Sequence, residues 1–403
     1  MAIEAAFCAI LFLCIVAGNK AHGFEIRKEA KFPLRFWGEK ERSSGLFSSP
    51  RSMESASSAT TTASSMKFLE GVRNLVDDYD VFLLDMWGVM HDGVRPYDGV
   101  LEAVRSLKEA GKRLVILSNS SKRKDNAARV LKKLGFDPTD FDAIITSGEV
   151  AHQFLAGEEE SLGCQRCDIL LDIRRSAEKQ KVFAFGSGDG DETYLESCGW
   201  SLAPLEDASL IVSRGTFTIN NGSAVIKKTE NADLYYTVLE QRLKEAAERK
   251  LPMLVTNPDK IRPDADRSPM PGQIGDSYQR ALVSSNLGME REDATKLVHR
   301  IGKPFKDVYD IALQDVRDLS RVCMVGDALE TDVTGGLCAG IDTVWVLKDG
   351  IHSQQFHALV EEEHSFSVPE AAALIAEEFS KKESTYANGR LLSPNIIMPH
   401  FRW

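Results

Sequence analysis

The sequence lacks the charge excess, the cysteine pattern and the long apolar segments that mark several classes of protein. Its formal net charge is -11, so a basic surface for binding nucleic acid is not expected. Its seven cysteines are irregularly spaced and do not suggest a disulfide framework. Cys164 and Cys167 form one C-x-x-C pair, but no second pair or nearby histidine completes a zinc site. We interpret them as surface or packing thiols.

The first 66 residues have the composition of a targeting segment. Residues 5–17 are an uninterrupted apolar run of thirteen, short of the about twenty needed to span a bilayer but suited to a signal peptide. Glu4, and no Lys or Arg, precedes the run. Residues 24–66 end in a Ser/Thr-rich stretch that offers no packed core. The whole resembles the bipartite presequence of complex-plastid proteins. This predicts that the protein is located in a plastid, that residues 1–66 are removed, and that the mature chain has no stable membrane span. The alternative is a secretory signal with a disordered linker.

The composition of the whole chain is that of an ordinary globular protein, and residues 67–403 are organised around one segment. Four apolar residues, Val81–Leu84, run directly into Asp85, and Gly88 follows three positions later. A short apolar run bounded by a turn signal is typical of a buried strand of a parallel sheet, and open α/β sheets bind ligands at the carboxyl ends of their strands. Asp85 is therefore expected to face a crevice; the alternative is an aspartate that caps the next element.

Strands and helices alternate through the rest of the first half. The spacing of apolar residues predicts a helix over 97–110 and a second buried strand over 114–117. That strand runs into Ser118 and Asn119, where small polar side chains suit both helix capping and anion binding. A third strand is predicted over 144–147. This alternation predicts an α/β fold with a doubly wound parallel sheet.

A second, smaller α/β unit is predicted over residues 157–268, inserted into the first. Such a unit can close over a crevice, exclude water and select the substrate. The doubly wound core is accordingly assigned to residues 67–156 and 269–380. Residues 381–403 are assigned to a C-terminal tail, whose apolar end suits docking either on the core or on a partner.

Three more polar residues lie at the ends of predicted elements in the second part of the core. Lys303 precedes Pro304 at the entrance of a helix. Asp327 and Asp332 follow the buried strand Val322–Val325, and Mg²⁺ commonly takes one or two such carboxylates together with water and phosphate oxygens. One parallel sheet brings its strand ends to one rim. The residues expected to converge there are Asp85, Ser118, Lys303, Asp327 and Asp332.

The order and context of these residues resemble the haloacid dehalogenase superfamily, specifically its class IIA phosphatase-like branch, over about residues 78–350. The resemblance implies a Rossmann-like core with an inserted cap domain. By the same resemblance Asp85 is the nucleophile, Ser118 and Asn119 bind the transferred group, and Lys303 both binds substrate and neutralises the intermediate. A small phosphorylated molecule is the expected ligand, and an oligomer is compatible with the sequence.

The resemblance also implies a Mg²⁺ site, formed by Asp85, the backbone carbonyl of Trp87, Asp327 and Asp332. Trp87 is itself a departure, because phosphatases of the superfamily usually carry a second aspartate there that protonates the leaving group and activates water. General acid–base catalysis is worth about 10²–10⁴ in rate, so a slow phosphatase is expected. His91 and Asp92 are possible substitute acids that we interpret as turn residues.

Two other functions remain open at this level. One is a hydrolase of a different bond that still uses Asp85 as nucleophile. The other is a catalytically impaired protein that binds a phosphorylated ligand, its chemistry lost at Trp87.

Overall fold

The structure, a computed structural model, describes residues 66–403 apart from 176, 177, 179, 189, 221, 263–267, 285–287, 363–365 and 383–392. The predicted presequence, residues 1–66, thus lies outside the described residues except for Met66. Among the helices that are described, none has the length and apolar character required to cross a membrane.

The strands of the described chain form two separate sheets. In chain order they are β1 (Lys67–Phe68), β2 (Val81–Leu84), β3 (Arg113–Ser118), β4 (Ala143–Thr146), β5 (Lys181–Gly186), β6 (Ser201–Leu202), β7 (Leu210–Ser213), β8 (Thr218–Asn220), β9 (Val225–Lys227), β10 (Met253–Val255), β11 (Val298–Arg300), β12 (Val322–Gly326), β13 (Asp342–Val346) and β14 (Ile396–Met398).

The helices connect these strands and cover the sheets. In chain order they are α1 (Val100–Glu109), α2 (Lys124–Lys133), α3 (Ser147–Ala156), α4 (Asp168–Arg174), α5 (Asp191–Glu196), α6 (Ala232–Glu248), α7 (Pro271–Ser284), α8 (Arg291–Lys296), α9 (Lys306–Leu313), α10 (Thr334–Cys338), α11 (Ser353–His357) and α12 (Val368–Lys382). A π-helical segment, Leu329–Val333, leads into α10.

The core sheet is parallel throughout, with the strand order β1-β14-β13-β12-β2-β3-β4. Its central strands β2 and β12 are buried along their whole length, as expected for apolar strands covered by helices on both faces. They are direct neighbours, with Leu84 opposite Val325. The predicted parallel α/β core is confirmed, and its topology places the ends of β2 and β12 side by side.

The second sheet has the order β11-β10-β7-β5-β8-β9, with β6 also paired to β5. This sheet includes β11, whose last residue is Arg300, so the predicted end of the inserted unit at residue 268 is too early. The reason is a crossover: α7 follows β10, packs Ile274 and Tyr278 into the cluster beneath the second sheet, and leads through α8 to β11, which is parallel to β10. We call residues 181–300 the cap unit.

The C-terminal residues also belong to the core sheet instead of forming a separate tail. Strand β14 lies between β1 and β13, parallel to both. Its side chains alternate: Ile396 and Met398 pack with one hydrophobic cluster and Ile397 with another, on opposite faces of the sheet. The prediction of a tail over 381–403 is corrected accordingly, because a three-residue strand shows its apolar character in sequence but not its partner.

We expect Ile397→Ala to lower the free energy of unfolding by about 2–5 kcal/mol, because the Ile397 side chain is fully buried in the sheet that also forms the site. Chemical denaturation measures the loss. The control is Leu374→Ala on α12, where the side chain is 38% exposed and the change should be small. Equal, small effects of both substitutions would show that β14 contributes little to the stability of the core.

The cap unit is joined to the core by a half-buried polar contact next to the C-x-x-C pair. His299 on β11 contacts Asp307 on α9, with 3.1 Å between Nε2 and Oδ2, and is also hydrogen-bonded to the thiol of Cys167. Cys164 and Cys167 are both buried, as packing thiols would be, and burial raises the pKa of Cys164 to about 12. Burial lowers the pKa of His299, but the bonds to Asp307 and Cys167 outweigh it and raise the pKa to about 10.

This contact gives a stability prediction that depends on pH. An unfolded histidine titrates near 6.5, so the protonated His299 stabilises the fold fully below about pH 6.5, and the contribution disappears as pH rises toward 10. The difference in unfolding midpoint between wild type and His299→Gln should therefore shrink between pH 6 and pH 10. A difference that stays constant over this range would contradict the assignment.

Candidate active site

Asp85 lies immediately after β2 and is held against β12. Its backbone N–H donates to the carbonyl oxygen of Val325 at 3.0 Å. The chain then turns at Gly88, whose φ of +90° favours glycine. A Cβ at this position would lie 2.3 Å from Oδ2 of Asp327, so the close approach also requires glycine. The turn after β2 therefore packs directly on the aspartate that follows β12.

Asp85, Asp327 and Asp332 form a carboxylate cluster. Each contributes an oxygen within 4.8 Å of the other two, as expected from the sequence. Asp327 and Asp332 are buried. Burial, followed by the charges of Asp332 and Asp85, raises the pKa of Asp327 well above its usual range, and burial also raises the pKa of Asp332. Three ionised carboxylates this close repel each other, so the cluster favours a bound cation.

Hydrogen bonds from the backbone orient the two buried carboxylates. Oδ2 of Asp327 accepts from the N–H of Ile351 at 2.8 Å. Oδ2 of Asp332 accepts from the N–H of Ala328 at 3.0 Å, and Ala328 is the N-cap of the π-helical segment that carries Asp332. Such partners fix the direction of a ligand and restrict its motion.

Lys303 enters the carboxylate cluster from the loop between β11 and α9. Its Nζ lies 2.5 Å from Oδ1 of Asp85 and 2.8 Å from Oδ1 of Asp332, although 218 positions separate Lys303 from Asp85 in the chain. Burial lowers the pKa of Lys303, but the neighbouring Asp332 and Asp85 outweigh burial, so the net shift is upward. Lys303 is therefore a permanently charged ammonium in this site.

The residues of the cluster fit a divalent cation. Three carboxylates and one ammonium leave a formal charge of -2 in a largely buried space. All the carboxylate donors are hard oxygen atoms, which Mg²⁺ prefers over the nitrogen and sulfur ligands typical of zinc. The donor set thus matches the expected magnesium site in charge and in chemistry.

Asn119 holds the backbone of Lys303. Its Oδ1 accepts from the N–H of Lys303 at 2.7 Å, and its Nδ2 donates to the carbonyl oxygen of Lys303 at 3.0 Å. Both polar atoms of the amide are thus engaged by the protein. Ser118, at the end of β3, lines the same cavity as Asp85 and Lys303, and its Oγ accepts from the N–H of Ser120 at 3.3 Å. The structure therefore places Asn119 as a support of Lys303 and Ser118 beside the cluster.

Asp259 is a site residue to which sequence reasoning assigned no role. Its Oδ1 accepts from Nδ2 of Asn119 at 2.7 Å. Burial raises the pKa of Asp259 to about 7, against the opposing effects of the Asn119 hydrogen bond and of Lys303. The available signal in the sequence is the polar stretch 256–259, which directly follows the apolar residues Leu254 and Val255, and it does not reveal the contact with Asn119.

A cavity of about 620 Å³ opens between the core sheet and the cap unit. The carboxylate cluster, Lys303, Ser118 and Trp87 line its core side. The cap unit contributes basic and aromatic residues, namely Arg214, Phe217, Lys260 and Arg262. The cavity has room for a small phosphorylated molecule with its phosphate at the cluster.

Contacts across the boundary hold the cap unit over this cavity. Nζ of Lys122 donates to Oγ of Ser187 at 3.0 Å, and Nη2 of Arg214 donates to the carbonyl oxygen of Ser121 at 3.3 Å. Arg214 is buried and also paired with Asp191. The cap unit is thus closed on the core at the serine-rich loop that follows β3.

Trp87 lines the cavity, whereas the two possible substitute acids belong to the neighbouring turn. Nδ1 of the buried His91 accepts from the N–H of Gly93 at 2.9 Å. Oδ1 of Asp92 accepts from the N–H groups of Val94 and Arg95, both at 2.8 Å. Their interpretation as turn residues is confirmed, and neither lines the cavity.

The fold and this site define a hydrolase with a doubly wound α/β core, carboxylates at the strand ends and an inserted cap. Comparison with known proteins agrees. The model of the haloacid dehalogenase-like hydrolases matches residues 82–201, and a second, HAD-hydrolase-like model matches residues 300–374. Over these residues the chain matches the haloacid dehalogenase-like hydrolases, as the sequence motifs predicted.

Individual relatives and a solved structure show more specific similarities to this chain. Phosphoglycolate phosphatase 2 of Arabidopsis thaliana is 27% identical over 284 residues, which cover 68% of this chain and 85% of that protein. The chloroplastic phosphoglycolate phosphatase 1A of the same plant is 26% identical over 299 residues, which cover 72% and 75%. A haloacid dehalogenase-like hydrolase from Brucella suis 1330 shares the fold with a TM-score of 0.56 and 20% identity, covering 83% of this chain and 99% of that one. These matches support a phosphatase-type hydrolase.

Proposed function

We propose that the protein is a Mg²⁺-dependent phosphatase that uses Asp85 as nucleophile and acts on a small organic phosphate. The observation that carries the proposal is the convergence of Asp85, Asp327, Asp332 and Lys303 on one wall of the cavity. The phosphatase names of the relatives support the same class of substrate.

The proposed reaction has two displacements at phosphorus. The Asp85 carboxylate attacks, forming a bond between its oxygen and phosphorus while the bond to the leaving oxygen breaks. Lys303, 2.5 Å from Asp85, balances the negative charge of the transferred phosphoryl group, and Ser118, which lines the same cavity, binds one of its oxygens. Water then attacks the phosphorus of the acyl phosphate, releasing phosphate and restoring the Asp85 carboxylate.

Asp85, Asp327, Asp332 and the backbone carbonyl of Trp87 would hold the Mg²⁺. When bound, Mg²⁺ reduces the repulsion between the anionic nucleophile and the anionic substrate and polarises the phosphoryl group. Lys303 contributes to the same balance of charge, and its raised pKa keeps that contribution constant at neutral pH.

Trp87 sets the range of good substrates in this proposal. It lines the cavity where related phosphatases usually carry an acid, and its indole cannot protonate a leaving alkoxide. Aryl and acyl phosphates release stable anions and need no proton. They should be hydrolysed much faster than alkyl phosphates, by a factor on the scale of general acid catalysis, about 10²–10⁴.

The cap side of the cavity favours a substrate with a second anionic group. Lys260 and Arg262 line this side, and the guanidinium of Arg262 lies 5.4 Å from the centre of the Phe217 ring. A carboxylate on the leaving group would meet these cations while the phosphate occupies the cluster. The names of the two phosphoglycolate phosphatases support this choice of substrate.

A second candidate function is binding without turnover, and Trp87 is the observation that favours it. A site that holds a phosphate ester but cannot protonate its leaving group resembles a receptor for that ester. Hydrolysis of a bond other than a phosphate ester by Asp85 is the remaining alternative. Both predict no phosphate release from any member of a panel of phosphate esters.

We further propose that the protein acts in a plastid. The composition of residues 1–66 and the chloroplastic name of one relative support this location. Mass spectrometry of the protein isolated from plastids should find an amino terminus near residue 66. An isolated protein that retains residues 1–66 would contradict removal of the segment.

A panel of phosphate esters tests the proposed function. The purified protein is assayed for phosphate release with Mg²⁺ on aryl, acyl, carboxylated alkyl and neutral alkyl phosphates. We expect release from aryl and acyl phosphates, and among alkyl esters a preference for those that carry a carboxylate. Tight binding of an ester without release would favour the binding function instead.

A further inference from the structure

The C-terminal segment continues past β14 along the loop that leaves β13. The N–H of Leu347 donates to the carbonyl oxygen of Met398 at 2.9 Å, and the N–H of Lys348 donates to that of Pro399 at 3.0 Å. These bonds extend the ladder between β13 and β14 toward the carboxylate cluster. The last residues of the chain therefore run alongside residues 347–349.

His400 ends this pairing with a side-chain contact. Its Nδ1 lies 2.9 Å from both carboxylate oxygens of Asp349. The side chain of Asp349 is only 11% exposed, and the hydroxyl of Tyr97 donates to the Asp349 carbonyl oxygen at 2.7 Å. Asp349 is thus fixed at its side chain by His400 and at its backbone by Tyr97.

The two residues after Asp349 contact a member of the carboxylate cluster. A Cβ on Gly350 would lie 2.1 Å from Cβ of Asp327, so the loop passes directly over that side chain. The N–H of Ile351 then donates to Oδ2 of Asp327 at 2.8 Å. The orientation of Asp327 depends on where this loop is held.

We propose that His400 is a positioning residue for metal binding: by holding Asp349 it fixes residues 349–351, which orient the carboxylate of Asp327. This inference rests on the proposed function, because it presupposes that Asp327 is a metal ligand. Asp332 offers an internal contrast. Its N–H partner, Ala328, is the N-cap of the π-helical segment that carries Asp332, so the orientation of Asp332 does not depend on the C-terminal segment.

Loss of the His400 hydrogen bond should weaken metal binding and leave the reacting groups in place. Partners behind metal ligands are typically worth 10–100-fold in affinity, and His400 acts through one intervening loop. We therefore expect about a tenfold rise in the Kd for Mg²⁺, at the lower end of that range. The turnover number at saturating Mg²⁺ should change little, because Asp85 and Lys303 are untouched.

The test compares three variants of the full chain by isothermal titration with Mg²⁺ in the absence of substrate. His400→Leu removes the donor, whereas His400→Asn keeps an N–H donor at the position of Nδ1. Arg402→Gln is the matched control, since it removes a basic side chain two positions away that pairs with Glu70 at 3.6 Å on the surface. We expect weakened binding for His400→Leu and affinity close to wild type for the other two. The concentration of Mg²⁺ that gives half-maximal activity should shift in parallel.

The outcomes separate this inference from the proposed function. If the wild-type protein binds Mg²⁺ and His400→Leu binds it equally well, the inference alone is overturned. Wild type that binds no Mg²⁺ overturns the proposed function and the inference together. Equal losses in His400→Leu and His400→Asn would show that the hydrogen bond is not what matters, and also overturn the inference. If His400→Leu does not fold, Asp349→Leu, which removes both acceptor oxygens at a similar side-chain size, replaces it in the comparison.

Discussion

Purified protein beginning at Met66 is expected to hydrolyse aryl and acyl phosphates with Mg²⁺, and the Asp85→Asn variant is expected to lose this activity by about 10⁴-fold or more. Asparagine has the same shape as aspartate but cannot attack phosphorus to give a stable acyl phosphate. It also removes one of the three carboxylates of the cluster and the negative charge that lies 2.5 Å from Nζ of Lys303. Nucleophile and cation site are thus impaired by one substitution.

Phosphate release from 4-nitrophenyl phosphate and from an acyl phosphate measures this loss. Asp80→Asn is the matched control: it makes the same chemical change at a side chain that is 56% exposed and paired with Arg321 on the surface. Its activity should equal that of wild type. The same trace rate in wild type and in Asp85→Asn would contradict the phosphatase proposal, because the phosphate would then be released by a contaminant or at another site.

The second large expected effect is a gain of phosphatase activity. Trp87→Asp is expected to raise the turnover of alkyl phosphates by about 10²–10⁴-fold, the scale of general acid–base catalysis. Trp87 lies two residues after Asp85 and lines the cavity, so an aspartate there is placed beside the reacting groups. Aryl phosphates should gain less, because their leaving groups depart without a proton and only the attack of water on the acyl phosphate would be assisted. The gain should therefore grow as the leaving alcohol becomes more basic.

Trp87→Phe is the control for this substitution. It opens space in the cavity and keeps an aromatic ring, but it adds no acid, so alkyl phosphates should remain poor substrates. The double variant with Asp85→Asn should be inactive, because the new aspartate can assist only the nucleophile already present. No gain in Trp87→Asp, with retained binding of the ester, would favour the binding function over a phosphatase that lacks only its acid.

The site was predictable where a short apolar run ends in a charged residue. Val81–Leu84 before Asp85 and Val322–Val325 before Asp327 both have this form, and the two strands are neighbours in the core sheet. Parallel topology then brings their ends together, whatever the distance between them in the chain. The placement of Lys303 was expected for the same reason, since it precedes a helix at that rim.

The contacts behind these residues were not predictable. Asn119 was assigned to substrate binding from its position after a strand, yet its amide is engaged by Lys303 and Asp259. Which polar group supports which depends on differences of a few tenths of an ångström in the distances between segments that are far apart in the sequence. His400 is a similar case: a histidine three positions from the end of the sequence has no local pattern that links it to Asp349.

The boundaries of the two sheets were the weakest part of the sequence prediction. Strands β11 and β14 have three residues each, too few to show a period, and neither has a short connection to its partner strand. Their membership of a sheet is decided by tertiary packing, such as that of Ile397 in the core. Long, uniformly apolar strands carry that information in sequence, and short ones do not.

Titration of the wild-type protein and of Asp327→Asn with Mg²⁺, or with Mn²⁺ followed by electron paramagnetic resonance, tests the central claim most directly. That claim is that Asp85, Asp327 and Asp332 share one divalent cation. It predicts one ion bound per wild-type chain and a loss of affinity of about 100-fold or more in Asp327→Asn, as expected when a ligand itself is removed. Wild type that binds no ion, or Asp327→Asn that binds it as tightly as wild type, would contradict the claim.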